Sequence, residues 1–271
     1  MRDDYALPMP QPPRTYGAVN WLGAWTLYVK EIRRFLAVYF QTVLAPMVTT
    51  LLYMAVFALA LGRVSVKAGG VPFLEFLAPG LAMMAMMQNA FANTSSSLII
   101  SKVQGNIVDM LMPPLSAAEQ CLAVALGGTT RGVLVGLVVT VTIWTFVPLT
   151  VAHPGFVLYH AVMGSLMLSL LGMVAGIWAD KFDHMAAVTN FVVTPLSFLS
   201  GTFYSIDRLP HIARVIALAN PFFYMIDGFR YGFTGHADGP IWVGVLVMAV
   251  ANLGLLTLTW RMFATGYKLK A

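Results

Sequence analysis

Six long apolar runs restrict what this chain can fold into. They cover residues 35–61, 73–100, 117–147, 156–179, 185–204 and 241–261. A helix that crosses a bilayer needs about 20 consecutive apolar residues, and each run reaches that length. Backbone polar groups in lipid must be hydrogen-bonded within the chain, so such segments cross as helices. The pattern predicts an all-α integral membrane protein with six transmembrane helices.

Composition agrees with this class and excludes others. Hydrophobic residues make up 59% of the 271 residues and charged residues only 10%, whereas soluble proteins average about 25% charged. The net charge of +5 comes from basic residues scattered at the ends of the apolar runs, so it predicts topology and no nucleic-acid partner. The single cysteine, Cys121, cannot form an internal disulfide, and no His and Cys cluster indicates a metal or another cofactor.

The basic residues predict the orientation in the membrane. Ten are assigned to one side: Arg2, Arg14, Lys30, Arg33, Arg34, Lys102, Lys181, Arg261, Lys268 and Lys270. Five are assigned to the other: Arg63, Lys67, Arg208, Arg214 and Arg230. Because cytoplasmic loops are richer in Lys and Arg, both termini are predicted to be cytoplasmic. Arg131 lies inside the third run, and it is expected to snorkel to the inner interface, with a role in transport as the alternative.

Two parts precede the first run. Residues 1–15 form a Pro-rich tail that is predicted to be disordered. Residues 16–34 are predicted to form a cytoplasmic interfacial helix, for which a plain surface helix is the alternative. Its apolar face carries Trp21, Trp25, Tyr28 and Ile32. Its cations are expected to face lipid head groups: Lys30, Arg33 and Arg34.

The loop 101–116, between the second and third runs, has the spacing of a short amphipathic helix. Its apolar stripe consists of Val103, Ile107, Met110 and Leu111. Pro113 ends the helix. Such a helix either connects two spans or docks into a groove of a partner.

Polar residues share one face near the end of the second run: Asn89, Asn93, Ser96 and Ser97. Polar side chains in lipid seek partners. This face therefore either hydrogen-bonds to other helices or lines a transport pathway.

The segment 205–235 holds two helical pieces that are each too short to cross a bilayer. The first has amphipathic spacing, with Asp207 as its predicted cap and Pro210 in its first turn. The chain turns at Asn220, because Pro221 disfavours helical geometry in the residue before it. The pattern predicts a re-entrant helical hairpin.

The second helical piece carries two charges, Asp227 and Arg230. They are three residues apart, so they are predicted to pair on one helix face. The apolar run before the hairpin ends at Gly201.

Several motifs together resemble the permeases of type-2 ATP-binding-cassette (ABC-2) exporters. They are FLSG ending at Gly201, the Asn-Pro turn at 220–221, Asp-x-x-Arg at 227–230, and FLAPGL at 76–81. The resemblance covers nearly the whole chain, with 35–271 as the six-span domain. It implies that the hairpin lies on the outer side between spans five and six.

The resemblance also implies that loop 101–116 is the coupling helix that contacts an ATPase. Gly105, Asp109, Leu111 and Pro113 fit the family pattern, whereas Gln104 stands where an acidic residue is common.

The predicted function is that of a permease subunit of an ATP-driven exporter in a bacterial inner membrane. The chain has no phosphate-binding loop of the GxxxxGK[ST] type, so it is predicted to be no enzyme, and ATP hydrolysis is expected in a separate subunit. The resemblance implies a homodimer with two ATPase copies and an amphipathic or lipid-linked substrate, such as a polysaccharide, lipid or drug. The alternatives are an ion-coupled secondary transporter and a non-transporting membrane assembly factor.

Overall fold

The computed structural model of the chain describes residues 17–61, 67–68, 70–206 and 209–269. The predicted tail, residues 1–15, lies outside these ranges. The described residues form eleven α-helices. They are α1 (Trp21–Leu36), α2 (Ala45–Leu61), α3 (Phe73–Val103), α4 (Ile107–Leu111), α5 (Ala117–Trp144), α6 (Pro154–Trp178), α7 (Phe182–Val188), α8 (Thr194–Leu199), α9 (His211–Ala219), α10 (Pro221–Thr234) and α11 (Ile241–Thr265).

Two π-helical turns extend the helical segments. Phe40–Leu44 leads directly into α2, and Thr189–Val193 joins α7 to α8. One exception to the all-α prediction is a short antiparallel pair of strands, β1 (Lys67–Ala68) and β2 (Val71–Pro72), which comes just before α3.

Four helical segments of the described chain are long and apolar enough to cross a membrane: Phe40–Ala60, Ala117–Trp144, Pro154–Trp178 and Ile241–Thr265. The pair α9 and α10, bent by 87°, makes a fifth if it is counted as one span. Helix α3 is longer than these but carries polar residues through its second half. Helix length and composition thus give four or five crossings, and the predicted number of six remains a prediction.

Two predicted boundaries differ from the structure. Helix α1 runs to Leu36, so the start of the first run, Phe35, belongs to the amino-terminal helix. The fifth run was expected to continue to residue 204, but α8 ends at Leu199. Gly201 follows with a φ of +73°, a left-handed conformation that glycine adopts without steric cost.

Helix α3 lies at the centre of the fold and packs against α5 and α6. Thr94 of α3 donates a hydrogen bond to the carbonyl of Ser169 on α6 (2.7 Å), and the Ser169 hydroxyl donates to the carbonyl of Ala125 on α5 (2.7 Å). A side chain at Gly172 would place its Cβ 2.5 Å from the Phe91 carbonyl oxygen. Small residues and hydrogen bonds of this kind hold helices together in membranes.

Other helices leave large apolar surfaces uncovered. Only 11% of the apolar window in Phe40–Ala60 is buried. Leu59 of α2 is 84% exposed, and Phe191, in the turn between α7 and α8, is 81% exposed. Both faces lie outside the packed centre that α3, α5 and α6 form.

Candidate functional site

Loop 101–116 forms a tight connection between α3 and α5. Helix α3 ends at Val103, and Gly105 turns the chain with a φ of +74°. Helix α4 follows and has five residues, which is shorter than the predicted amphipathic helix. Its helical hydrogen-bonding ends before Pro113, as predicted.

Apart from Val103, the apolar stripe of this loop faces the protein itself. Ile107 is 7% exposed and Met110 is 2% exposed, and both pack in a cluster with Leu27 of α1 and Cys121 of α5. Leu111 packs against the same cluster. Ile107 and Met110 therefore fasten the loop to the rest of the chain, and the docking role of the loop stays a prediction.

The outward surface of the loop consists of other residues. Val103 and Val108 are half exposed, and Met112 is 76% exposed. The predicted residues Gln104 and Asp109 are exposed there as well. We call Val103, Val108 and Met112 the outer loop surface.

Helix α1 lies beside the loop and is tied to it. The backbone N–H of Asn20 donates to Glu119, and its side-chain amide donates to the Pro114 carbonyl (3.1 Å). The Asn20 side-chain oxygen accepts from the N–H of Gly23 (2.9 Å) and so caps α1. A groove of about 320 Å³ runs between α1 and the loop, with Lys30 and Asp109 among its lining residues.

A buried polar cluster joins α1 to α3. Glu31 is 0% exposed and accepts hydrogen bonds from Arg34 (3.1 Å) and from the hydroxyl of Ser97 (2.7 Å). Arg34 also donates to the side-chain oxygens of Asn93 (3.0 Å) and Ser96 (3.1 Å). Buried charges need partners of this kind. Arg34 thus points inward, which corrects the prediction that it faces lipid head groups.

Asn89, the fourth polar residue of the predicted face, meets Arg131 of α5. The Arg131 guanidinium donates to the Asn89 side-chain oxygen (3.1 Å). The expected snorkelling of Arg131 is corrected, since it turns towards α3. All four predicted polar residues make hydrogen bonds between helices, and both readings of this face stay predictions.

Helix α10 is fastened by Arg230, which is 1% exposed. Its guanidinium donates to the carbonyls of Phe76 (3.1 Å) and Gly201 (2.7 Å), and it lies 3.7 Å from the centre of the Phe76 ring. Asp227 instead accepts from the backbone N–H groups of Asp238 (2.9 Å) and Gly239 (3.0 Å). The predicted Asp227–Arg230 pair is therefore wrong, because each side chain binds backbone groups of other segments.

The turn of the hairpin is built as the sequence indicates. Pro221 is the first residue of α10, and Asn220 caps that helix by accepting from the N–H of Phe222 (3.0 Å). The Asn220 amide also donates to the carbonyl of Leu196 (3.0 Å). At the start of α9 the cap position is Pro210, and the predicted cap Asp207 lies outside the described residues.

Comparison with known proteins decides the family. The model of the family described as ABC-2 type transporter matches residues 23–234. This chain belongs to the ABC-2 type transporter family. As a family member it is a transmembrane transport permease, and membership implies partnership with an ABC ATPase.

Individual relatives agree with this ABC-2 assignment. The inner membrane transport permease YadH of Escherichia coli strain K12 is 35% identical over 251 residues, covering 93% of this chain and 98% of YadH. Nodulation protein J of Rhizobium leguminosarum bv. trifolii is 27% identical over 227 residues, covering 81% of this chain and 83% of that protein. Nodulation protein J of Rhizobium meliloti strain 1021 is 24% identical over 214 residues, covering 74% and 78%.

Sequence reasoning missed one central residue of this ABC-2 permease, Glu31. Glu31 is spaced four residues from Leu27 and from Phe35, and all three are buried on one face of α1. That spacing was the available signal. Sequence reasoning also missed Asp238, which accepts a hydrogen bond from the N–H of Ile206 (3.0 Å) and so ties the segment before α11 to the segment before α9. No pattern in the sequence indicates that contact.

Proposed function

We propose that this chain is the membrane-spanning subunit of an ATP-driven exporter in a bacterial inner membrane, and that its ABC ATPase binds the outer loop surface. The observation that carries the proposal is the exposure of Val103, Val108 and Met112 on a loop whose other face is buried. An exposed apolar surface of this kind is typical of a protein interface.

The loop is suited to transmit movement. Ile107 and Met110 pack against α1 and α5, and the loop directly continues α3. Asn20 adds hydrogen bonds between α1 and the end of the loop. A force on the outer loop surface therefore acts on α1, α3 and α5 together.

Two copies of the chain form the pathway in this proposal. The faces of α2 and of α7 with α8 are apolar and largely uncovered, so a second copy is the partner that suits them. A symmetric dimer presents two outer loop surfaces, which gives two ATPase copies per complex.

The proposed topology has six crossings and both termini in the cytoplasm. The crossings are the four long apolar segments, α3, and the segment from α7 to α8. The packing of α3 between α5 and α6 along its length supports its place as a crossing helix.

The pair α9 and α10 is proposed as an outer re-entrant hairpin, residues 205–235. Met225, near the start of α10, lies against Gly164 in the interior of α6. The end of α10 returns to the start of α6, where the N–H of His153 donates to the Gly232 carbonyl (2.8 Å). Helix α10 thus runs along α6 from the neighbourhood of Gly164 back to the first residues of α6.

The proposal is tested by purifying the complex. Val108→Asp and Met112→Glu place charges on the outer loop surface and are expected to weaken ATPase binding about tenfold or more, because burying one such side chain is worth about 1.5–3 kcal/mol. The matched control Met112→Leu keeps an apolar side chain and should retain the ATPase. Ile107→Asp should instead reduce the amount of folded permease.

Retention of the ATPase by both charged variants, at unchanged permease levels, contradicts the proposed docking surface. Export of an amphipathic or lipid-linked substrate is the activity to score next, with ATP turnover stimulated by substrate. A permease that is a monomer in detergent and still transports contradicts the shared pathway.

A further inference from the structure

A polar cleft of about 300 Å³ lies between α2, α3 and α5. Its polar lining includes Gln41, Thr49, Gln88, Asn89 and Arg131, and its apolar wall includes Met84. Gln41, Thr49 and Gln88 are exposed at its edge. Among the described residues, no protein group is hydrogen-bonded to the side chains of Gln41 or Gln88. The cleft therefore offers unused amide donors at its edge.

Arg131 gives this cleft a positive charge that no acid of the described residues balances. Its hydrogen-bond partner is the neutral oxygen of Asn89, and its Nε is buried without a partner in the described structure. The charged group that acts on it electrostatically is Arg34, another cation. Arginine stays protonated in proteins, so an unbalanced cation inside an apolar membrane-spanning helix is costly.

The carboxylates of the described residues lie elsewhere. They are Glu31, Glu75, Asp109, Glu119, Asp180, Asp183, Asp227 and Asp238. Glu31 is already occupied by Arg34 and Ser97. The others lie in loops, near helix ends or in the outer hairpin.

The chemistry of the cleft fits an oxyanion. A guanidinium binds phosphate through paired N–H donors, and the amides of Gln88 and Gln41 can supply further donors. The cleft opens beside α2, whose apolar outer face meets the second copy in the proposed dimer, so an alkyl chain attached to the anion could lie along that helix in the pathway between the copies.

We propose that this cleft binds the phosphate group of an amphiphilic substrate, with Arg131 as the residue that binds the charge. The inference rests on the proposed function, since it names the substrate class of the exporter. It assigns Arg131 to substrate binding as well as to helix contact.

The test is direct binding to the purified full chain in dodecyl maltoside, a detergent without phosphate. Calorimetry with dodecyl phosphate is expected to show binding that Arg131→Gln weakens about tenfold or more, because a charge-assisted contact is lost. The matched control Arg33→Gln removes an exposed arginine of α1 and should bind as the wild type does. Dodecyl trimethylammonium should not compete.

Two further arms separate the remaining outcomes. If inorganic phosphate binds as tightly as dodecyl phosphate, the ligand is a free anion, and the proposal of an amphiphilic substrate is overturned. If Arg131→Gln does not fold, Arg131→Lys and the exposed Gln88→Leu take its place, and each should weaken binding several-fold. Unchanged binding in those variants, or in Arg131→Gln, overturns the proposal.

ATPase co-purification, measured in the same preparations, keeps the two proposals apart. Arg131-dependent binding without any ATPase supports the cleft and contradicts the exporter. If the ATPase binds normally but the Arg131 variants bind dodecyl phosphate as the wild type does, the cleft proposal is contradicted and the exporter proposal is not.

Discussion

Replacing Glu31 by glutamine tests whether the buried cluster holds α1 against α3. The carboxylate of Glu31 is 0% exposed and balances the charge of Arg34. Glu31→Gln keeps the shape of the side chain but leaves Arg34 without its counter-ion. Breaking a fully buried ion pair costs about 3–5 kcal/mol. The Arg34 side chain is 29% exposed, so water screens part of its charge, and we expect a loss of about 2–3 kcal/mol.

The assay is thermal unfolding of the purified permease, followed by fluorescence-detected size exclusion. A loss of this size should lower the melting temperature by about 5–10 °C. The control is Glu75→Gln, because the Glu75 side chain makes no hydrogen bond or ion pair to described residues, and that variant should melt within about 1 °C of the wild type.

A double mutant sharpens the result. In Glu31→Gln with Arg34→Gln both charges are removed, so the double variant should be more stable than the sum of the single losses predicts, by about 1 kcal/mol or more. Equal melting of Glu31→Gln and Glu75→Gln, or strict additivity with Arg34→Gln, refutes the reasoning that the pair joins the two helices.

Three further predictions concern other parts of the molecule. Arg230→Gln should lower the stability by about 3 kcal/mol or more in the same unfolding assay, because two charge-assisted hydrogen bonds to backbone carbonyls are lost; a shift below about 2 °C counts against this role. A cysteine at Ile212, which is 76% exposed, should react with a membrane-impermeant maleimide added to intact cells, and labelling only after lysis contradicts the outer hairpin. The hydrogen bond from Lys268 lowers the pKa of the Asp180 carboxyl. The ionised Asp180 therefore stabilises the folded protein at pH values above the pKa that this carboxyl has in the unfolded chain. This stabilisation is lost as the pH falls through the lower pKa of the folded state. Between pH 7 and pH 3 the melting temperature of the wild type should fall below about pH 4, and the fall should be smaller in Asp180→Asn. The same pH dependence in both proteins contradicts the contact between Lys268 and Asp180.

The sequence predicted the features that depend on local chemistry. The break at Asn220 and Pro221 follows from the missing N–H and fixed backbone of proline, and it appears in the structure as an 87° bend. The end of α4 before Pro113 has the same origin. The polar face from Asn89 to Ser97 was visible from spacing alone.

Features that depend on tertiary packing were missed. The spacing of α4 marks Ile107 and Met110 as apolar, but it does not say whether they face a partner or their own chain. Arg34 was predicted to face lipid head groups and Arg230 to pair with Asp227, whereas both donate to residues of α3 that are more than fifty residues away in the chain. Six apolar runs of sufficient length also do not establish six crossings. Polar residues lower the hydrophobicity of α3, and a π-turn before α8 interrupts the fifth run, so neither meets the criteria of a long apolar helix.

The most direct test of the account is a photo-cross-link from the outer loop surface. A benzoylphenylalanine at Met112 in the intact complex should form an adduct with the ABC ATPase on irradiation, and the same group at Ile216 of the outer hairpin should form none. An ATPase that cross-links from Ile216, or that stays bound in the complex without any adduct from Met112, would contradict the proposed docking of the motor on loop 101–116.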